Sequence, residues 1–463
     1  MKEEKKGKKP ALRAPNLLVL IFALILVASL LTYIVPAGQF NIGENGRVIA
    51  GTYHSVEQTP VSPWQAISMI FEGMNASGYI IFVIMLMGGC ITAVLATGAV
   101  EQLISYAIYR LHKKNVLLLV PCCIVLMALL ASFGGSDAFI AFIPVGIIFA
   151  RRLRLDPIAA VAVFFMSSFV GFFSGPFIMS TQAMAGVPPF SGFVVRICVL
   201  IAIITFTCFY ITRYCKRVIS NPEHSLMGNT DWLQECFDED APQQEVKLDK
   251  RAVITLVLLI GSFAGLAIAL PIFNLGYAEL VGVLILVVIA TGLLYGKSLS
   301  DIADGFSKGV MSMSGIAIIV GMARTISLVL DSGSILHTVI YVITQPLSYC
   351  GAGIAAILLF LSNAFINLFI PSCSGQAAVV IPLMLPVGEV LGITPQVVVS
   401  AFIYGDGLTN LCIPTFGVLV GALMMAKVPF GKWLKFVVPF VVICAVGLSA
   451  LLFVLTSIGW TGL

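Results

Sequence analysis

Long runs of apolar residues alternate with short polar stretches along almost the whole chain. Most of these runs approach the ~20 residues that a helix needs to cross a bilayer. Two further runs, 137–150 and 376–388, are too short to be assigned as spans. The long runs lie at residues 15–36, 78–97, 115–133, 157–178, 190–212, 252–272, 276–295, 314–330, 350–369, 396–412 and 433–457. The pattern predicts an all-α polytopic membrane protein.

Composition supports this prediction. Of the 463 residues, 59% are hydrophobic and 10% are charged, whereas soluble domains carry roughly 25% charged residues. The net charge of +4 is concentrated in short loops, where it indicates orientation rather than a nucleic-acid partner. The cysteines and histidines lack metal-ligand spacing, so we expect neither a metal site nor a cofactor.

Loop charges predict orientation and a division into halves. The stretch "MKEEKKGKKPALR" precedes the first apolar run, which has spanning length and no A-x-A-like cleavage site after it. We therefore expect a retained first helix with a cytoplasmic N-terminus. The polar stretch 213–251 predicts a cytoplasmic linker between a first half, 1–212, and a second half, 252–463.

An internal repeat relates the two halves. Pro144, Pro157 and Pro176 recur as Pro382, Pro395 and Pro414, each 238 residues later. Cations flank the stretch 115–150, whereas none flank 350–390. The loop charges therefore predict that the two stretches enter the membrane from opposite faces. Chance similarity between apolar sequences is the alternative explanation. Inverted repeats with interrupted helices are typical of secondary transporters.

The interruptions themselves predict two re-entrant hairpin tips. Non-helical backbone is tolerated at membrane depth only where protein buries it or where it lines a wet cavity. "FGGSD" (133–137) and "PSCSGQ" (371–376) would be the tips, each followed by a short helix with Ser136, Asp137 or Ser374 available as N-cap. Two helix N-termini facing the centre would suit a carboxylate. Full membrane crossings remain the alternative to hairpins.

Polar residues near the tips and in "YGDGLTNLCIPT" (404–415) are the candidate site residues. An intramembrane charge is by default a functional hypothesis, with a structural ion pair as its rival, and Gly/Pro clusters can also be packing kinks. Arg324 is the charge that we expect to be structural, held by carbonyls or a carboxylate. The predicted substrate-binding residues are Ser136, Asp137, Ser372, Ser374, Gly375, Gln376, Asn410 and Thr415, and those for a coupling cation are Asp406, Gly405, Thr409 and Asp137.

Three segments carry a resemblance to a known family: "IPSCSGQAAVVIPLMLPV", "GDGLTNLCIPTFGVLVGALMMAKVPFGKWLKF" and "GMARTISLVL". They resemble the C4-dicarboxylate anaerobic carrier family, particularly its YfcC-like branch, which includes arginine/ornithine antiporters. The resemblance implies an ion-transporter-superfamily fold and secondary transport of small carboxylates or amino acids across the bacterial inner membrane. The branch often carries paired acidic residues in the first tip, whereas here Asp137 stands alone.

Several functions follow as expectations. The first is alternating-access transport of an amino acid, for instance a basic one by antiport, and the second is Na⁺- or H⁺-coupled dicarboxylate transport. An intramembrane aspartyl protease would also use two buried aspartates, but residue 403 is Ile where its G-x-G-D motif needs Gly. A channel lacks support because no charged ring or filter repeat appears. We thus expect no enzyme, a small-molecule substrate and the lipid bilayer as partners, and leave a homodimer open.

Overall fold

The computed structural model describes residues 17–41, 51–132, 136–176, 178–188, 191–228, 230–236, 249–273, 277–344 and 349–462. The described residues form an all-α membrane protein with one short antiparallel strand pair, β1 (Gly38–Gln39) with β2 (His54–Ser55). The helices are α1 Leu17–Ile34, α2 Pro63–Ala76, α3 Gly78–Leu95, α4 Ala99–Asn115, α5 Leu119–Ser132, α6 Ile143–Arg152, α7 Pro157–Val161, α8 Ser167–Ser174, α9 Met179–Met184, α10 Phe193–Ser220, α11 Lys250–Phe273, α12 Tyr277–Leu294, α13 Leu299–Ser332, α14 Leu336–Thr344, α15 Ala352–Ile366, α16 Cys373–Val390, α17 Pro395–Thr409, α18 Gly417–Met425 and α19 Phe430–Ser457. Short 3₁₀ segments lie at Val116–Leu118, Ser136–Phe142, Pro222–His224 and Asp231–Glu235, and a π-helical turn, Ala162–Met166, joins α7 to α8.

The predicted apolar runs correspond to helices. Among the described helices, five are long and apolar enough to cross a membrane: Gly78–Leu95, Pro157–Ser174, Phe193–Ser220, Leu299–Ser332 and Phe430–Ser457. Further apolar helices of 10–17 described residues coincide with other predicted runs. The prediction of a polytopic helical membrane protein is therefore confirmed.

Residue 213, the predicted start of the linker, lies within helix α10. The helix continues to Ser220, so the basic residues from 213 onward occupy its last two turns rather than a polar connection. Ile211, Cys215 and Val218 are buried at helical spacing, and this apolar stripe keeps the segment packed as helix although its other face is cationic. The division of the chain at this linker stays a prediction.

Helix packing follows the same scheme in the two halves. In the first half α5 packs against α8 and α10, and in the second half α15 packs against α17 and α19. Helices α10 and α19 are each 28 residues long. Contacts between α8 and α17 connect the halves near the middle of the molecule. A repeat would give this arrangement, while its inverted orientation and the re-entrant hairpins stay predictions.

Both predicted tips coincide with interruptions. Helix α5 ends at Ser132 and α6 begins only at Ile143, so no single helix runs through 125–148. Residues 133–135 of the first tip lie outside the described residues, and of Ser136 only the backbone is described. In the second tip α15 ends at Ile366 and α16 begins at Cys373. Its N-cap is Ser372, not the expected Ser374, because Ser372 has extended backbone and its hydroxyl accepts from the N–H of Gly375.

Candidate functional site

The centre of the candidate site is the Asp406 carboxylate on α17. Asp406 is 0% exposed, and neither of its carboxylate oxygens accepts a hydrogen bond within the described residues. The Cys373 thiol and the Asn410 side chain lie beside it without completing such a bond. An ionised carboxylate buried without partners costs several kcal/mol. A cation, an amine or a proton bound at Asp406 would offset this cost.

Asn367 fixes the end of α17 next to this carboxylate. Its amide nitrogen lies 2.9 Å from the Asp406 carbonyl oxygen, 2.9 Å from the Thr409 hydroxyl oxygen and 2.8 Å from the Asn410 side-chain oxygen. The Thr409 hydroxyl in turn donates to the Gly405 carbonyl at 2.6 Å. These bonds tie α15 to the last turn of α17, where the helix stops before Pro414.

Several free polar atoms around Asp406 are acceptors. Besides the carboxylate, the side-chain oxygens of Asn367 and Gln376 are buried without a partner among the residues that the structure describes. The Gln376 amide nitrogen is committed, because it donates to the Asn363 carbonyl at 3.0 Å. Since the amide nitrogens of Asn367 and Gln376 are used by the scaffold while their oxygens and the carboxylate are left over, this part of the site can satisfy a ligand that donates hydrogen bonds or carries positive charge.

Asp137 brings the first half to the same place. It lies on the 3₁₀ segment after the first tip, half-buried, and within electrostatic range of Asp406 and Cys373. Thr181 of α9 also lies beside Cys373. Two carboxylates in one buried site repel each other, so both stay ionised only when a positive group lies between them.

Arg324 of α13 lies close to the second tip. A Cβ added to Gly375, in the first turn of α16, would lie 3.8 Å from its guanidinium nitrogen Nη1. The side chain is half-buried and makes no ion pair with any residue in the described part of the chain. The guanidinium and the first turn of α16 together form a positive region. The expected structural role of Arg324, held by carbonyls or a carboxylate, stays a prediction.

The glycines of "GDG" have a packing role. A Cβ at Gly405 would lie 2.7 Å from the Cβ of Asn363 on α15, and one at Gly407 would overlap the Phe173 side chain on α8. Helix α17 stays helical through Thr409, and the Gly405 carbonyl accepts the Thr409 hydroxyl, so a role of Gly405 at a coupling cation stays a prediction. Glycine here lets three helices approach closely.

The remaining predicted residues are placed as follows. Ser374 is exposed at the start of α16, Thr415 is buried with a hydroxyl that has no partner among the described residues, and both lie at helix interruptions. Sequence reasoning missed Asn363 and Asn367, although two asparagines one helical turn apart in an apolar run were a visible signal. It also missed Arg196, fully buried in α10, whose Nη2 donates to the Ser400 hydroxyl at 3.2 Å.

The chain is similar in sequence to known transport proteins. Over 96% of this chain and 95% of the relative, it is 28% identical to "Putative basic amino acid antiporter YfcC" of Escherichia coli (strain K12). A second E. coli (strain K12) protein, "Putative short-chain fatty acid transporter", is 25% identical over 62% of this chain and 69% of its own length.

Among solved structures, the YdaH transporter of Alcanivorax borkumensis superimposes with a TM-score of 0.47 and 18% identity, covering 97% of this chain and 100% of that one. The family model "C4-dicarboxylate anaerobic carrier" matches residues 14–457, nearly the whole chain. The protein is a multi-pass membrane transporter that belongs to the C4-dicarboxylate anaerobic carrier (DcuC) family.

Proposed function

We propose that this transporter carries a small amino acid, a basic one in exchange for another, by alternating access in the bacterial inner membrane. The observation that carries the proposal is the surplus of buried acceptors around Asp406, with Asp137 as a second carboxylate. A substrate amine supplies both the positive charge and the hydrogen-bond donors that these groups lack. The relative named as a basic amino acid antiporter supports the same substrate class.

The other end of the substrate would meet the second tip. The first amides of α16 are not needed within the helix, and its N-terminal dipole end favours an anion. The Arg324 guanidinium beside Gly375 adds a full positive charge with a planar fork of donors. A carboxylate between them and an amine between Asp137 and Asp406 would together span the site. The site would then recognise an amino acid by both of its charged ends.

A dicarboxylate coupled to Na⁺ or H⁺ is the second candidate. The family description and the positive region at Arg324 favour it. In that case Asp406 would hold the coupling cation, and the carboxylates of the substrate would meet α16 and Arg324. Dicarboxylate transport therefore needs a cation from solution at Asp406, whereas a basic amino acid carries a positively charged group itself.

Counterflow in proteoliposomes separates these candidates. Vesicles containing the purified protein are loaded with unlabelled arginine, lysine, ornithine, succinate or fumarate, and uptake of the corresponding labelled solute is followed. We expect transient accumulation with at least one basic amino acid and none with the dicarboxylates. Counterflow with succinate alone would contradict the proposal and favour the second candidate. The intramembrane protease alternative predicts counterflow with none of them.

A further inference from the structure

A cationic pocket, whose lining shares no residue with the candidate site, lies between the last turns of α10 and the first turns of α19. It is a cavity of about 600 Å³ with Arg213, Arg217 and Lys435 in its lining. The aromatic rings of Tyr210 and Phe436 form the part of the wall that lies deeper along both helices. The pocket thus combines three cations at helix ends with an apolar inner wall.

The charge of this pocket is not neutralised by the residues that the structure describes. Arg213 and Arg217 are one helical turn apart on α10, where like charges repel, and Lys435 faces them from α19. None of the three forms an ion pair within the described residues, including with Glu223 on the turn that follows α10. His224, on the same turn, also lines the cavity. Such a group of cations is stabilised by an anion between them.

The wall of the pocket is held rigidly. The Tyr214 hydroxyl donates to the Asp156 carboxylate at 2.5 Å, the Ser225 hydroxyl donates to it at 2.6 Å, and the N–H of Leu226 donates to the Tyr214 oxygen at 3.2 Å. Asp156 itself is fully buried as the N-cap of α7. These bonds fix the turn after α10 against α7, so the cavity is preformed, and the nearby carboxylate is already committed to other donors.

The position of the pocket indicates the class of ligand. It lies at the ends of two long apolar helices, on the face that the loop charges assign to the cytoplasm. Phe209 and Val442, on the outer faces of the same helices, are exposed to the surroundings of the protein. Basic pockets between membrane helices on this side bind anionic lipid head groups. The apolar wall offers contact to acyl chains, which a free phosphate ion would not use.

We propose that this pocket binds the phosphate of an anionic phospholipid, with the acyl chains along α10 and α19. The test uses the full-length protein in detergent, titrated with phosphatidylglycerol, with phosphatidylcholine or with inorganic phosphate. Bound lipid is counted by native mass spectrometry, and the thermal midpoint is recorded alongside. We expect phosphatidylglycerol to bind and raise the midpoint, and the other two to have little effect.

Matched variants locate the site. Arg217→Gln should weaken phosphatidylglycerol binding roughly fivefold, because one cation near the surface contributes about 1 kcal/mol. Lys435→Gln, on the other helix, should do the same. Lys216→Gln removes the same charge from the adjacent exposed position, outside the pocket lining, and should leave the affinity within twofold.

Two results would overturn the proposal. If Arg217→Gln and Lys216→Gln lose the same affinity for phosphatidylglycerol, the lipid is attracted to the basic surface as a whole and not to the pocket. If inorganic phosphate raises the thermal midpoint as much as the lipid does, the pocket is a site for soluble phosphate. If Arg217→Gln does not fold, Lys435→Gln gives the same comparison from α19.

Discussion

The Asp406→Asn substitution tests the candidate site most directly. Asparagine keeps the size of the side chain but removes the charge that is buried without a partner among the described residues. An aspartate at the centre of a membrane helix costs about 3 kcal/mol, and a bound amine or cation recovers this cost. Losing about 3 kcal/mol of binding corresponds to roughly 150-fold weaker affinity. We therefore expect transport to fall close to background.

The assay is counterflow with the solute that the native protein exchanges, together with equilibrium binding of the same labelled solute. Asp331→Asn is the matched control, because it removes the same charge from an exposed position near the end of α13 and should transport normally. The Asp406→Asn protein should also unfold at a higher temperature, since it no longer buries an unpaired charge. Function and stability would then change in opposite directions.

One outcome would refute this reasoning. If the Asp406→Asn protein transports at the native rate, with unaltered dependence on ions and pH, then the carboxylate does not hold an amine or a coupling ion. Asp406 would then have only a structural role, and the coupling site would lie elsewhere. A loss of transport accompanied by poor membrane insertion would instead trace the effect to folding, which the Asp331→Asn control and the thermal midpoint would reveal.

Three further comparisons of variants test the close packing at Gly407, the second tip and the hydrogen bonds to Asp156 beside the cationic pocket. Gly407→Ala should lower the thermal midpoint, since overpacking against Phe173 costs about 1–3 kcal/mol. Gly447→Ala is the control and should not lower it, because the space around Gly447 is open. Equal midpoints for the two variants would contradict close packing at Gly407. Ser374→Leu should abolish uptake while Ser374→Ala keeps most of it, with both inserted normally, and uptake by the leucine variant would argue against a site at this tip. Burial raises the pKa of Asp156 in the folded protein, against the hydrogen bonds that it accepts. The folded state therefore binds that proton more tightly than the unfolded chain does, and stability should grow as pH falls through the raised pKa towards the ordinary 3.8. As pH falls over that range, the thermal midpoint of the native protein should rise relative to that of Asp156→Asn. Parallel curves of thermal midpoint against pH for the two proteins would contradict this prediction.

The sequence was sufficient to predict the helices and the two interruptions, because both depend on local composition. Apolar runs of spanning length have few alternatives to helix, and Pro371 with the neighbouring Ser372 disfavours helix whatever the surroundings. The positions of helix ends were predicted less accurately. Helix α10 extends past Arg213 because a buried stripe on one face outweighs the cations on the other, and a hydropathy average over all faces does not show such a stripe.

The site could be predicted only in part, since its members come from separate helices. Asp406 stood out as a charge in an apolar run, but the commitment of Asn367 to the end of α17 depends on how α15 and α17 pack. The interruption predicted for 404–415 lies between α17, which ends at Thr409, and α18, which begins at Gly417. The close contact of Gly405 with Asn363 on α15 was not predicted, because such contacts are not visible along one chain.

The imbalance between donors and acceptors also separates the two substrate classes. The amide nitrogens of Asn367 and Gln376 are occupied by carbonyl and side-chain oxygens, while their own oxygens and the Asp406 carboxylate lack donors among the described residues. A dicarboxylate brings only further acceptors, so its transport would require a metal cation or a proton at Asp406 in every cycle. A basic amino acid brings an ammonium or guanidinium group that fills the same position. Exchange of basic amino acids should therefore persist when Na⁺ is replaced by a large organic cation at constant pH, whereas dicarboxylate uptake coupled to Na⁺ should stop.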